Sequence, residues 1–307
     1  QRRQATGACR LPVMQPRADQ AAVSRLRGDV DALAVGIGER HLWRPGALRA
    51  AADHIRNEFA RAGYEPTAQR FEVRGIAVEN LEAVASGTGT PLSTVVVGAH
   101  YDSVQGCPGA NDNGTGVAAM LELSRRFAGR PRPREIRFVA FVNEEPPWFQ
   151  TSSMGSVVYA TEAQRHRRAI SGMLSLETMG YYSDEPASQR YPAPLNLVLP
   201  PVGNFIGFVA NGRSAALLRR CLKAFRARTS FPVRGAAVPA SIPGVGWSDH
   251  WAFWQAGYRA VMVTDTAPFR YPWYHTAGDT PDRISFDRLG QVVDGLEHVV
   301  HVLAGGE

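Results

Sequence analysis

Residues 136–149 read IRFVAFVNEEPPWF. Ile136 to Val142 form an apolar run rich in β-branched and aromatic side chains, the composition of a strand buried on both faces. The run halts at Asn143-Glu144-Glu145-Pro146-Pro147. Adjacent carboxylates repel, and burying even one costs several kcal/mol unless a cation or a proton offsets it. A solvated loop would carry such a pair without further meaning. A strand end that delivers acids to a site is the alternative, and the rest of the chain decides between them.

Working outward, STVVVGAH (93–100), GMLSLE (172–177) and YRAVMVTD (258–265) are further apolar runs that read as buried strands. QRFEV (69–73) and NLEAVAS (80–86) alternate apolar and polar residues, which predicts antiparallel edge strands. Helices are expected near 19–37 and 46–62. In the second, Leu48, Ala51, Ala52, Ile55 and Phe59 recur at three- and four-residue steps, with Gly63 as a C-cap. Further helices are expected at 116–127, near 160–170, at 214–228 and at 286–303. Buried strands alternating with helices predict an α/β fold, a three-layer αβα sandwich around a mixed, largely parallel sheet. Residues 1–20 read as a loose N-terminal tail and 21–307 as a single catalytic domain. The Pro-, Ser- and Tyr-rich stretch 181–205 reads as an inserted loop.

The 307 residues are 44% hydrophobic, yet no run approaches the roughly 18–20 apolar residues of a membrane span. The opening QRRQATGACRLPVMQPRAD has charges but no apolar leader core. A leader removed earlier is compatible with this, and a secreted or periplasmic home is the expectation. Cys9, Cys107 and Cys221 are too few for a disulfide framework and match no zinc-ribbon spacing. The net charge of +6 comes from arginines that are scattered rather than clustered with aromatics. They read as a solvated surface, and no nucleic-acid partner is expected.

In open α/β sheets, ligands gather beyond the carboxyl ends of the strands. Those ends here carry His100 with Asp102, then Glu144 and Glu145, then Glu177, and after the last apolar strand His275 and Asp279. Between the first two lies GANDNGTG, with Asp112 flanked by turn-forming residues. Each has an ordinary reading alone: a core histidine, a helix N-cap at Asp112, a loop acid. Together, imidazoles and carboxylates from separate segments converge on one rim, which is the donor set of divalent cations.

The motifs GAHYDSV, PGANDNGTGVAAMLEL, FVNEE, SLETMGYY, SDHWAFWQAGYRAVMVTDT and YHTAGDT occur in that order. From about residue 46 onward the chain resembles the co-catalytic di-zinc aminopeptidases of the bacterial leucyl aminopeptidase and aminopeptidase Y type. The resemblance implies a zinc-exopeptidase-like fold, two Zn2+ per chain, and peptide substrates with a free N-terminus. It implies His100 and Glu177 on one zinc, Asp112 bridging, and Glu145 and His275 on the other. Glu144 matches the general base. Asp102 matches the acid that orients His100, and Asp279 is expected to do the same for His275. Many relatives have aspartate where this chain has Glu177. The resemblance further implies a cis peptide at Asp112–Asn113. Tyr181 or Tyr182 is expected to supply an oxyanion donor, and Trp273 to contribute to substrate binding. Aromatic residues crowd these loops (Trp148, Trp247, Phe269, Tyr274 among them), and an apolar pocket for a hydrophobic N-terminal side chain is the expectation. The rivals are a single-zinc glutaminyl cyclase, in which Asp249 of SDHWAFW would be an active-site acid, a non-catalytic relative, and a carboxypeptidase of the wider superfamily.

Overall fold

The computed structural model describes residues 19–89, 93–193, 195–197 and 199–306. Most of the expected N-terminal tail therefore lies outside the described residues, although its last two residues do not read as loose. Asp19 caps the first helix, accepting the Ala21 N–H at 3.0 Å, and Gln20 opens it.

Helices α1 (Gln20–Asp31, continued by a π-helical turn Ala32–Ile37) and α2 (Pro45–Arg61) precede the hairpin of β1 (Thr67–Val73) and β2 (Ile76–Ala85). Then follow β3 (Thr94–His100), α3 (Gly116–Phe127), β4 (Glu135–Phe141), α4 (Gly155–Arg165) and β5 (Ile170–Glu177). The last third contains β6 (Ile206–Ala210), α5 (Ala215–Arg228), β7 (Val233–Ala237), α6 (His250–Gln255), β8 (Ala260–Thr264), α7 (Ala267–Arg270) and α8 (Phe286–Leu303). The strands form one sheet in the order β1-β2-β4-β3-β5-β8-β6-β7. Its centre, β4-β3-β5-β8, is parallel. β2 joins antiparallel to β4, and β6 antiparallel to β8.

The period-2 alternation of strand side chains sorts the core into two layers. Val95, Val97 and Ala99 of β3, with Ile136, Phe138 and Ala140 of β4, face a large core shared with α1, α2, α3, α5 and α8. Val96, Val139, Phe141 and Met173 face the opposite side, where Tyr159 of α4 and Phe253 of α6 cover them. The expected three-layer αβα sandwich is thus the observed one. Gly98 of β3 is required by this packing, because a Cβ there would lie 2.3 Å from the Phe141 ring.

Several expectations shift. β2 was read as an edge strand, yet β4 flanks it, so of the two hairpin strands β1 alone is at an edge. The helix expected near 160–170 begins earlier, at Gly155, whose N–H is taken by the Val142 carbonyl at 2.7 Å. β6, β7, α6 and α7 had not been anticipated. The segment 181–205 does lack regular structure among its described residues, apart from a 3-10 turn at Leu195–Leu197. No described helix is long and apolar enough to cross a membrane.

Arg165, Arg167, Arg168, Arg219 and Arg220 are exposed, as the solvated-surface reading expects, but Arg125 and Arg126 correct it. Arg125 bonds Asp29 and Glu58 at 2.7–3.1 Å, and Arg126 bonds Glu122, Asp294 and Glu297 at 2.7–3.0 Å. Arg25 makes a two-pronged contact with Glu122 at 2.8 Å. They pin α1 and α8 to α3 instead of solvating a surface. Glu122 is fully buried between two guanidinium groups. Its replacement by alanine is expected to cost more than the ~1 kcal/mol of an exposed pair, read as a lowered urea midpoint.

Candidate metal centre

The chain leaves β3 in one direction to build β4 and crosses back to build β5 on its other side, so β3 is a switch point in the strand order. The carboxyl ends of the parallel strands meet there. His100 ends β3, Glu144 and Glu145 follow β4, and Glu177 ends β5. Asp112 comes from the irregular turn before α3, at φ −109°, ψ 96°, and its peptide bond to Asn113 is cis, as expected.

The donors close on one another. His100 Nε2 lies 3.3 Å from Asp112 Oδ1, 3.4 Å from Glu177 Oε2 and 3.8 Å from Glu144 Oε2. His275 Nε2 lies 3.1 Å from Asp112 Oδ2 and 3.2 Å from Glu145 Oε2. Asp112 therefore turns one oxygen to each imidazole. Two nests result, His100–Asp112–Glu177 and Asp112–Glu145–His275, each with donor atoms within 4.8 Å of one another. His100, Glu144 and Glu145 make a third grouping by the same measure.

The donor set fits metal ions. Both ring nitrogens of His100, Asp112 Oδ1, Glu145 Oε1 and His275 Nε2 are buried without a hydrogen-bond partner, and such groups ordinarily find one. Imidazole and carboxylate are the donors zinc takes.

Electrostatics give the same picture. Burial pushes the Glu145 carboxyl up to about 7, with Asp112 adding to the effect and His275 opposing it. Burial also holds Glu144 well above the carboxylate range; His100 works against this, and the Glu177 and Glu145 charges add to it. Burial disfavours a charged His100, yet Glu177 and Glu144 outweigh it and hold the ring well above its ordinary value.

The surrounding shell departs from expectation in part. Asp102 sits 3.5 Å from His100 Nδ1 and also accepts the N–H groups of Glu144 and Glu145, both at 3.1 Å. It thus fixes the NEE loop as well as facing the histidine. Asp279 was expected beside His275. It instead accepts the N–H groups of Asn111 (2.8 Å) and Asp112 (3.0 Å) and the Tyr271 hydroxyl (2.8 Å). It anchors the backbone of Asp112. Burial pushes its carboxyl up to about 6, the two N–H bonds pulling the other way. Ser248 donates to Glu177 Oε2 at 2.7 Å. The amides of Asn111 and Asn113 tie the Asp112 turn to Gly180, Leu176 and Thr178.

An open apolar cleft adjoins Glu177, lined by Phe208, Val238, Trp247, Met262, Phe269 and Tyr274 among others. Trp247, Phe269 and Tyr274, aromatics expected around such a pocket, do line it, whereas Tyr181, Tyr182, Asp249 and Trp273, the residues expected to bind substrate, do not. Tyr182 is core, its hydroxyl donating to the Met179 carbonyl and its ring against Phe231. Tyr181 and Trp273 pack with Tyr271. Asp249 is fully buried with both oxygens unpartnered. Burial pushes its carboxyl up to about 7, with His100 opposing the rise and the Glu177 and Asp102 charges adding to it.

Tyr274 is the residue whose role the sequence did not single out. Its ring stacks on His275, centroids 3.8 Å apart. Burial, reinforced by Asp112, Glu145, Glu177 and Glu144, pushes its phenol far up, so the hydroxyl stays a donor. Its sequence signal is adjacency to His275, which the abundance of aromatics in these loops obscured.

A scan of family models matches residues 80–300 to "Peptidase family M28". The chain is 35% identical over 258 residues to the uncharacterized protein YfbL of Escherichia coli K12, covering 81% of this chain and 78% of that one. It is 33% identical over 210 residues to the aminopeptidase YwaD of Bacillus subtilis 168, covering 67% of this chain; it spans less than half, 40%, of that longer protein. Among solved structures it is similar to BSAP, a zinc aminopeptidase from Bacillus subtilis (TM-score 0.73, 17% identity, 91% and 94% of the two chains). It is also similar to the glutaminyl cyclase of Fimbriiglobus ruber (TM-score 0.70, 20% identity, 95% and 99%). These two likenesses concern the fold. With the family pattern running from Asn80 through the donors to Val300, the chain belongs to peptidase family M28.

Proposed function

We propose that the chain is a zinc-dependent aminopeptidase that removes hydrophobic residues from the N-terminus of peptides. The observation that carries this reading is Asp112, whose two oxygens face separate imidazoles at 3.3 and 3.1 Å. A carboxylate so placed suits two ions, one with His100 and Glu177 and one with Glu145 and His275. Zinc held there would polarise a carbonyl and lower the pKa of water at the site.

The chain's own residues do the rest. Glu144 accepts the proton of the attacking water on a carboxylate oxygen and delivers it to the departing amine. Asp102, holding the N–H groups of Glu144 and Glu145, fixes where that oxygen stands. The Tyr274 hydroxyl, on a side chain that lines the apolar cleft and stacks on His275, would donate to the oxygen that gains charge as the carbonyl is attacked. The crowd of carboxylates favours a free α-ammonium over an acylated nitrogen. The cleft beside Glu177 would receive the N-terminal side chain.

The test is a metal-reconstituted assay on aminoacyl-p-nitroanilides beside acyl-blocked versions, with metal counted per chain. Leucyl or phenylalanyl substrates are expected to exceed lysyl and glutamyl ones in kcat/KM by at least about tenfold, since an apolar cleft must desolvate the charge. Cleavage of blocked compounds would sink the assignment. One zinc per chain with cyclisation of an N-terminal glutaminyl peptide would favour the cyclase instead.

A further inference from the structure

Eleven residues separate His100 from Asp112, and Tyr101 to Gly109 have no helix or strand. Nothing intrinsic to such a segment fixes the spacing of the two donors. Asp102 and Asp279 tie its two ends to the rest of the site, and a further set of bonds along it comes from the N-terminal segment, outside the family-matched residues. Arg40 is fully buried, and its guanidinium is spent entirely on main-chain carbonyls. Nε donates to Tyr101 at 2.6 Å, Nη1 to Pro108 at 2.6 Å and Gly38 at 3.2 Å, and Nη2 to Gly109 at 2.8 Å. It thus grips the segment just after His100 and just before Asp112. The backbone of Arg40 adds a second clasp: its N–H goes to Ser103 Oγ at 3.1 Å, and its carbonyl takes the Ser103 N–H at 2.9 Å. Ser103 in turn donates to the Cys107 carbonyl at 2.9 Å.

The fit is close. Gly109 has φ +66°, and a Cβ there would lie 3.0 Å from Arg40 Nη2 and 2.6 Å from the Asp112 carbonyl oxygen. A buried guanidinium is costly unless its charge is met. Burial pulls this guanidinium below its ordinary value, and the charges of Asp279, Asp102 and Asp112 work against that; two of these are the acids that brace His100 and the Asp112 backbone. Among the described residues no carboxylate takes a hydrogen bond from Arg40. The cation therefore serves the group, while its hydrogen bonds serve the loop.

We propose that Arg40 is a positioning residue of the metal centre, setting the separation of His100 and Asp112 and countering the negative charge gathered behind them. The loop-holding part stands on the contacts above; the metal part rests on the reading under Proposed function. The Arg40 guanidinium bonds main-chain carbonyls, so its loss would act through the donors that this main chain carries.

The test uses the full chain carrying R40M and R40K, with R25M as a control. Arg25 belongs to the same N-terminal segment and bonds Glu122, away from the loop. Two quantities are read: amide hydrogen exchange of residues 101–112 in the metal-free protein, and zinc affinity by chelator competition. R40M is expected to speed exchange across 101–112 by at least about tenfold and to weaken zinc binding by about 10- to 100-fold, the loss typical of groups that brace metal donors. R40K keeps the charge but cannot span the same carbonyls, and is expected to fall between R40M and wild type in both readings. R25M is expected to lower Tm and leave both unchanged. Exchange and affinity within threefold of wild type in R40M would overturn the proposal, as would an equal loss of zinc in R25M. If R40M does not fold, R40K is judged by the same threefold limit. A wild-type chain that takes up no zinc would remove the aminopeptidase reading and the metal part of this one, and the exchange data would still decide whether Arg40 holds the loop.

Discussion

Glu144→Gln is expected to lower kcat by about 10²- to 10⁴-fold, the span of a general base, with metal content unchanged. Glu145→Gln is expected to lower metal content itself. The two are neighbours in sequence with different surroundings. Glu145 Oε2 lies 3.2 Å from His275 Nε2 and in the nest that includes Asp112. Glu144 Oε2 stands 3.8 Å from His100 Nε2, the longest of that ring's carboxylate contacts across the centre. Both N–H groups are held by Asp102, so glutamine at either position leaves the backbone bonds in place. Glutamine keeps shape while removing the charge and the ability to take a proton. Metal content by elemental analysis and kcat on the same preparations decide the matter. Glu144 also belongs to a grouping able to hold an ion with His100 and Glu145. Equal metal loss in both variants would mean that Glu144 is a ligand and the base lies elsewhere.

The metal-free chain is expected to lose stability as pH rises from about 5 to 9, and zinc is expected to abolish most of that slope. Folded carboxyls raised above their unfolded values stabilise below the unfolded pKa and lose that contribution as pH passes the folded one. Glu145 and Asp249 are raised to about 7 and Asp279 to about 6, while Glu144 and Glu177 are raised as well. His275 is raised to about 10 against the cost of burial by Asp112 and Glu145, so its contribution is full below 6.5 and lost towards 10. Asp112 has the opposite sign; the imidazoles of His100 and His275 overcome its burial and hold it below its ordinary value, so its contribution is lost only in acid. For Glu145 alone, a rise from 4.5 to about 7 corresponds to about 3 kcal/mol well above pH 7. At ~2 °C per kcal/mol for a chain of this size, Tm in chelator is expected to fall by at least ~5 °C between pH 5 and 9. Saturating zinc at ~1,000 times its Kd adds ~4 kcal/mol back. A chelated protein whose Tm is flat or rises over this range would contradict the clustering of protonatable acids.

What the sequence made legible follows from the same physics. The central strands announced themselves because burial on both faces demands unbroken apolar runs, and the donors stood at their ends, where an α/β sheet presents its site. β6 and β7, IGFVA and VRGAA, are five residues each with glycine inside, which leaves little to separate them from loops. Asp279 was misplaced because four residues from His275 suggests a neighbour; the chain instead turns it under Asn111 and Asp112, a contact spanning more than 160 residues. Asp102's grip on the NEE loop and Arg40's on the loop after His100 are likewise long-range bonds to main chain, for which side-chain pattern carries no trace. Arg125 and Arg126 looked like surface because most of the carboxylates that pair them, Asp29, Glu58, Asp294 and Glu297, sit on other helices.

Asn143, Thr178 and His275 all have positive φ, at 58°, 43° and 57°. One precedes Glu144, one follows Glu177, and the third is itself a donor. Left-handed backbone is unfavourable for residues with a Cβ, most of all for a β-branched one such as Thr178. Around this centre, local preference is overruled at the points where a donor must be aimed. The region that selection for durability would relax first is the one that selection for activity must keep taut, so improvement of one property at these positions is bound to be drawn from the other.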